Sequence, residues 1–289
     1  MVAGIIVLYN PNKKIIFQVI ETLQKQIDVL ILVNNGSPIE IELQNVILRD
    51  LGENKGIAYA QNVGVDIARE LGAKYILFSD QDTVYPENYI SEMKNNIKRF
   101  GDKAILVPSF YNLNRGQIEP ISLTMSKSIV PELNTQYEVF HAISSGTFVL
   151  MSSFIDIGYY EEKLFIDWVD FEWCWKARSK GYKIICIPKI QIKHNLGDKV
   201  KSLLGKKITL RSQFRYYYMI RNSFYLAKVS PFLNRKEKYN LKIRAIILIF
   251  GIFLVDDKRL KNFNTVKNAI KDAKKMIKNN KRKNYVTKN

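Results

Sequence analysis

Through the first hundred residues, apolar runs bounded by polar turns alternate with stretches of helical spacing. Val2–Leu8 reads as a strand, residues 13–26 as a helix, residues 29–33 as a second strand closed by Asn34-Asn35-Gly36-Ser37, and residues 46–48 as a short extended segment. Residues 56–71 carry Ile57, Ala60, Val63, Gly64 and Ile67 on one helical stripe. Residues 74–79 follow as a strand, and residues 86–99 as a helix with proline in its first turn. Strand and helix in alternation imply a parallel sheet covered on both faces.

The second half is less regular. Residues 104–110 and 147–151 read as strands, separated by a polar stretch over 111–136 that is long for a structureless connection and suits a flexible lid or acceptor loop. Residues 170–180 form a helix closed by Gly181, residues 182–187 a strand, and the chain from Leu210 onward is helical, interrupted at Ser230-Pro231. The expected organisation is an α/β catalytic domain over residues 1–205, divided at about residue 100 into two halves, with a helical appendage over 206–289.

Composition sets limits. A chain of 289 residues that is 47% apolar can bury one large core or two small ones. Its N-terminus runs straight into the first strand without the pattern of a signal peptide. Cys174 and Cys186 lack metal-ligand spacing and read as reduced core thiols of a cytosolic protein. The formal charge of +18 is unevenly placed, with twelve Lys or Arg against three Asp over residues 256–289. The longest apolar run, residues 245–255, stands just before that tail. Eleven residues are too few to cross a bilayer, which needs about 20. A buried core helix with a solvated tail is one reading. The other, favoured by the adjacency of the two runs, is an interfacial helix whose cationic flank meets anionic lipid. No zinc spacing, RNA-binding signature or helix-turn-helix pattern accompanies the charge, so nucleic acid is not an expected partner.

Four segments carry candidate chemistry. Asp80-Gln81-Asp82 leaves the end of the strand Tyr75-Ile76-Leu77-Phe78-Ser79, where open α/β sheets bind ligands, and two carboxylates one residue apart can share a hard cation such as Mg²⁺ or Mn²⁺. An acidic turn without a metal is the plainer alternative. Small residues alternate from Asn54 to Gly64, which either aims backbone N–H groups at phosphate or allows tight helix–sheet packing. Asp167, Asp170 and Glu172 stand among aromatic and aliphatic residues. They read as a general base with partner acids, or as a helix cap and first-turn acids. His194 follows a strand-like run and is either a ligand or structural.

Together and in this order these residues resemble the family 2 glycosyltransferases, inverting enzymes with the GT-A fold, over roughly residues 1–225. The forms Asp167-x-x-Asp170-x-Glu172 and Tyr216-Tyr217-Tyr218-x-x-Arg221-Asn222 look most like the rhamnosyltransferase branch, which uses dTDP-L-rhamnose to build bacterial surface polysaccharides. One departure is the pair Asn34-Asn35, where many relatives carry Asp-Asn. The resemblance implies a Rossmann-like mixed sheet with flanking helices and a set of residue roles. Tyr9 and Asn10 would border the nucleobase pocket, Asn34 and Asn35 would face base and ribose, and Asn54, Gly56 and Asn62 would line the diphosphate side. Asp80 would contact the ribose or the metal's waters, Asp82 and His194 would hold the Mg²⁺ or Mn²⁺, and Asp170 would be the base, with Asp167 and Glu172 orienting it or the acceptor. The acceptor would be a lipid-linked or growing glycan at the inner face of the cell membrane. Other donors in this class are UDP-galactose, UDP-N-acetylglucosamine and UDP-galactofuranose, and a nucleotide-binding scaffold without turnover is the reading outside the enzyme class.

Overall fold

The computed structural model describes residues 1–113, 116–194, 199–203, 206–255 and 259–286. Two units emerge, residues 1–165 with 169–196, and residues 166–168 with 197–289. The first unit opens with β1 (Val2–Leu8), α1 (Lys13–Gln24), β2 (Val29–Asn34), β3 (Val46–Asp50), α2 (Ile57–Glu70), β4 (Tyr75–Ser79), β5 (Thr83–Val84) and α3 (Tyr89–Phe100). It continues through β6 (Ala104–Asn112), β7 (Gln117–Ile118), β8 (Ile121–Ser122), β9 (Ser128–Ile129), β10 (Tyr137–Glu138), β11 (Phe148–Leu150), α4 (Met151–Ile157), α5 (Val169–Ser179) and β12 (Lys183–His194).

Among the described residues the main sheet runs β10-β12-β6-β11-β4-β1-β2-β3, with β5 beside β12 and β7 beside β6. The strands β3, β2, β1 and β4 are mutually parallel, as the alternation in sequence implies, and so are β6 and β12. Between the two groups β11 is inserted antiparallel to both neighbours, so the whole sheet is mixed. β1 and β2 are buried along nearly their full length, which is why they read as unbroken apolar runs rather than alternating ones. Gly64 lets α2 lie directly on β1, since a Cβ there would overlap the Ile5 side chain.

Several element bounds differ from those expected. The strand ending at Ile187 continues to His194, because a register shift between Ile187 and Gln191 carries it past Pro188, which cannot donate to the ladder. The strand over 147–151 stops at Leu150, and Met151 opens α4. The polar stretch over 111–136, expected to form a lid or acceptor loop, contains the short strands β7, β8 and β9 among its described residues.

The second unit holds the antiparallel pair β13 (Lys199–Leu203) and β14 (Lys206–Leu210), then α6 (Gln213–Val229), α7 (Arg235–Val255) and α8 (Arg259–Val286). Helix therefore begins at Gln213 and not at Leu210, where Ser212 caps α6 by accepting the Arg215 N–H at 3.3 Å. Tyr216 and Ile220 of α6, Ile252 of α7 and Ala269 of α8 form its core. Among the described residues no helix is long and apolar enough to cross a membrane.

Candidate active site

The parallel strands β1 and β4 end side by side, and the segments leaving them are tied together. Gln81 bonds the backbone of Tyr9 twice: its Oε1 accepts the Tyr9 N–H at 2.9 Å and its Nε2 donates to the Tyr9 carbonyl at 3.3 Å. The middle residue of Asp80-Gln81-Asp82 thus fixes where Tyr9 leaves the sheet. Asp80 donates its N–H to Ser145 Oγ at 3.1 Å, and Ser145 Oγ lies 2.8 Å from Thr83 Oγ1. Thr83 pairs in register with His194 of β12, so the backbone brings position 194 beside the acidic turn. The His194 side chain lies outside the described residues.

Asparagines build the rim of the site. Asn10 has φ +46°, and its Oδ1 accepts the Ser37 N–H at 3.1 Å. Asn34 and Asn35, expected to face base and ribose, are both buried, and their amides bond within the loops. Asn34 donates to the Ser37 carbonyl at 2.9 Å and to Asp50 Oδ2 at 3.1 Å. Asn35 donates to Asn54 Oδ1 at 3.1 Å and accepts the Lys55 N–H at 2.7 Å. Asp50, the register partner of Asn34, supplies a carboxylate from the adjacent strand. The Gly52 N–H and the Asn34 amide hold the Asp50 carboxyl below its ordinary range.

The small residues of 54–64 allow close packing at Gly56 and Gly64. Gly56 has φ +87°, and a Cβ there would meet the Phe165 carbonyl oxygen and ring at 2.7 Å. The first N–H of α2, that of Ile57, donates to the Phe165 carbonyl at 2.8 Å. Asn62, expected beside the diphosphate, is buried and grips the chain before α5. It donates to the Tyr160 carbonyl and to Glu162 Oε1, and accepts the Tyr160 N–H, at 2.9 to 3.1 Å.

Asp170 occupies the first turn of α5. Its Oδ2 accepts the Ser144 N–H at 3.3 Å and its Oδ1 the Phe171 N–H at 3.0 Å. Ser144 Oγ in turn accepts from Gln61 Nε2 at 3.0 Å. The adjacent serines Ser144 and Ser145 therefore join the Asp170 carboxylate to the Asp80 backbone. Gly146 makes the turn possible: it has φ +76°, and a Cβ would come within 2.6 Å of Pro108. The sequence reading missed Ser144-Ser145-Gly146-Thr147, whose signal is consecutive small polar residues before a strand.

The remaining two acids have different surroundings. Glu172 lies about 200° around the helix from Asp170 at 3.6 residues per turn, and its neighbours are Lys176 and Glu161. Burial pushes its carboxyl up to about 7, with Lys176 opposing and Glu161 adding to the rise. Its Oε2 has no hydrogen-bond partner among the described residues. Asp167, in the second unit, forms a bidentate ion pair with Arg215. There Asn222 donates to the carbonyls of Ile166 and Asp167 at 2.9 and 3.0 Å, which gives the Arg221-Asn222 motif a structural role. Phe165, Asp167 and Trp168 all have positive φ without being glycine. Such strain commonly marks functional segments.

Phe171, the residue after Asp170, helps to line a cavity of about 220 Å³ in the first unit, with Tyr111, Glu119, Ile121, His141 and Ile143 among its other walls. His141 stacks on Phe171 with centroids 3.8 Å apart and accepts the Trp175 indole N–H at Nδ1. Hence Nε2 carries the proton in neutral His141. Among the described residues no three His, Cys, Asp or Glu side chains converge as a complete metal cage. Two carboxylates on one turn nevertheless suit a cation that completes its shell with water and phosphate oxygens.

Comparison with known proteins accords with this geometry. The sequence model of Glycosyl transferase family 2 matches residues 5–158. The dTDP-rhamnosyl transferase RfbF of Shigella flexneri is 33% identical over 235 residues, covering 78% of this chain and 79% of the relative. Residues 1–349 of Staphylococcus aureus TarS in complex with UDP-GlcNAc superpose with a TM-score of 0.59 at 17% identity, over 96% of this chain and 81% of that one. GalNAc-T7 with UDP, GalNAc and Mn²⁺ gives a TM-score of 0.57 at 12% identity over 89% of this chain. This chain spans 57% of GalNAc-T7 and 49% of the longer TarS chain, and at these identities the likeness concerns the fold.

Proposed function

The chain belongs to glycosyl transferase family 2, is a glycosyltransferase on a GT-A fold, and we propose that it moves L-rhamnose from dTDP-L-rhamnose to a lipid-linked or growing surface glycan with inversion. The donor follows the named activity of the RfbF relative. The observation that carries the catalytic reading is the Ser144-Ser145 tie, which holds Asp170 and the Asp80-Gln81-Asp82 turn together beside the C-terminal end of β4.

In this mechanism the Asp170 carboxylate takes the proton of the acceptor hydroxyl as its oxygen bonds to the anomeric carbon. The bond from that carbon to the dTDP oxygen breaks on the opposite face, and dTDP leaves with the electron pair. A well-placed base contributes about 10²–10⁴-fold. Asp80 and Asp82 would hold a Mg²⁺ or Mn²⁺ ion, with position 194 beside them, and that ion supplies neutralisation of charge on the diphosphate. Gln81 fixes Tyr9 at the nucleobase side, while Asn34, Asn35 and Asn54 stiffen the loops around it. The cavity of Phe171, His141 and Tyr111 offers the acceptor aromatic faces beside Asp170.

A glycan carried on a lipid calls for an enzyme at the membrane surface, and the basic C-terminal region supports peripheral association with the inner face. Incubating purified protein with dTDP-L-rhamnose or UDP-sugars and a lipid-linked acceptor, and scoring nucleotide diphosphate release, tests the donor. Release from dTDP-L-rhamnose is expected, and release from UDP-galactose or UDP-N-acetylglucosamine alone would overturn the assignment.

A further inference from the structure

The charge of this chain resides in one unit. Residues 197–289 carry 25 Lys or Arg against 5 Asp or Glu, a balance of +20, whereas residues 1–196 carry 20 against 22. The same unit exposes large apolar side chains in an ordered way. On α7, Ile247, Phe250 and Leu254 are 63%, 66% and 76% exposed, and their spacing of three and four residues puts them on one stripe. Leu260 and Phe263, in the first turns of α8, are exposed as well. The opposite face of α7 is buried through Leu241, Ala245 and Ile252. Over residues 245–255 this helix is therefore apolar on both sides, one packed within the unit and the other bare. A helix apolar all round belongs inside a protein or against lipid.

We infer that the outer stripe of α7, with Leu260 and Phe263 of α8, enters the interfacial layer of an anionic bilayer and is drawn there by the surrounding Lys and Arg side chains. The core and membrane readings of residues 245–255 are then not alternatives, because each describes one face of the same helix. Charge selects the occupant. A second copy would bring another +20 against the first, whereas anionic headgroups neutralise it at about 1 kcal/mol for each Lys or Arg near the surface. Nucleic acid would satisfy the charge but has no use for three aligned aliphatic and aromatic side chains. The inference deepens the membrane placement proposed above, and its readout is lipid binding, so its failure is distinguishable from failure of the catalytic reading.

The test is flotation of the full-length protein with vesicles of phosphatidylethanolamine and phosphatidylglycerol, compared with phosphatidylcholine alone, at low salt and at 1 M salt, where the Debye length is about 3 Å. Wild-type protein should float with the anionic vesicles and stay partly bound in high salt. The triple variant I247Q/F250Q/L254Q alters exposed positions only. It should keep its circular dichroism and dTDP-L-rhamnose turnover on a soluble acceptor, but bind at least about tenfold more weakly in high salt. Equal high-salt binding by variant and wild type would overturn the inference. So would a wild-type dimer in light scattering that the variant dissolves while neither protein floats, which would assign the stripe to self-association. Tight binding of duplex RNA by both proteins, with no flotation by either, would also overturn it.

Discussion

The backbone N–H of Ser144 donates to Oδ2 of Asp170 at 3.3 Å, and the next residue, Ser145, accepts the Asp80 N–H at 3.1 Å. One turn between β10 and β11 thus positions Asp170 and the acidic turn together. Ser145→Ala would leave the Asp80 N–H and the buried Thr83 hydroxyl without this partner. It should cost about 1–3 kcal/mol of stability and lower kcat by about 10-fold or more through misplacement. Urea denaturation and steady-state kinetics on the same variant check both figures.

Glu172 should make stability depend on pH. Its folded-state carboxyl is raised from 4.5 to about 7, mainly by burial, so between those values the folded chain binds more protons than the unfolded one. Stability contributed by this group is therefore present below pH 4.5 and lost as pH rises through 7, amounting to about 3 kcal/mol. Glu172→Gln removes the titration, and its unfolding free energy should lack that slope. Parallel pH profiles for wild type and variant would refute the assignment.

At Gly56 the backbone has φ +87° and Phe165 closes over the position. Gly56→Ala should destabilise by about 1–3 kcal/mol from backbone strain and push Phe165, and with it the segment before Asp170, out of place. Transfer should fall further than donor affinity does. Calorimetry of donor binding alongside kcat separates the two effects.

Metal removal tests the acidic turn. EDTA should abolish transfer and added Mg²⁺ or Mn²⁺ should restore it, while Asp82→Ala should weaken dTDP-L-rhamnose binding in titration calorimetry without lowering the melting temperature. Full turnover in chelator would remove Asp80 and Asp82 from this role.

Much of the first hundred residues was legible because parallel strands buried on both faces leave unbroken apolar runs, as in Val2–Leu8. The acidic turn was legible for the same reason, since it interrupts such a run. The antiparallel β11 was harder: three buried residues between a turn and a helix carry too little periodicity to show direction. Pro188 hid the continuation of β12, because only the partner strand reveals that a bulge absorbs it. The tertiary hydrogen bonds of Asn34, Asn35 and Asn62 were not legible, because they come from residues 16 to 100 positions away. Asp167 read as a helix cap or a partner acid, and its ion pair with Arg215, 48 residues on, was not legible.

The central claim is that Asp170 removes the acceptor proton, and the most direct measurement is transfer from dTDP-L-rhamnose by Asp170→Asn, with donor affinity measured on the same preparation. The amide keeps the shape of the side chain and still accepts the Ser144 N–H, but cannot take a proton. Transfer should fall at least about 10²-fold with donor affinity nearly unchanged. Near-normal turnover by the purified variant would contradict the account.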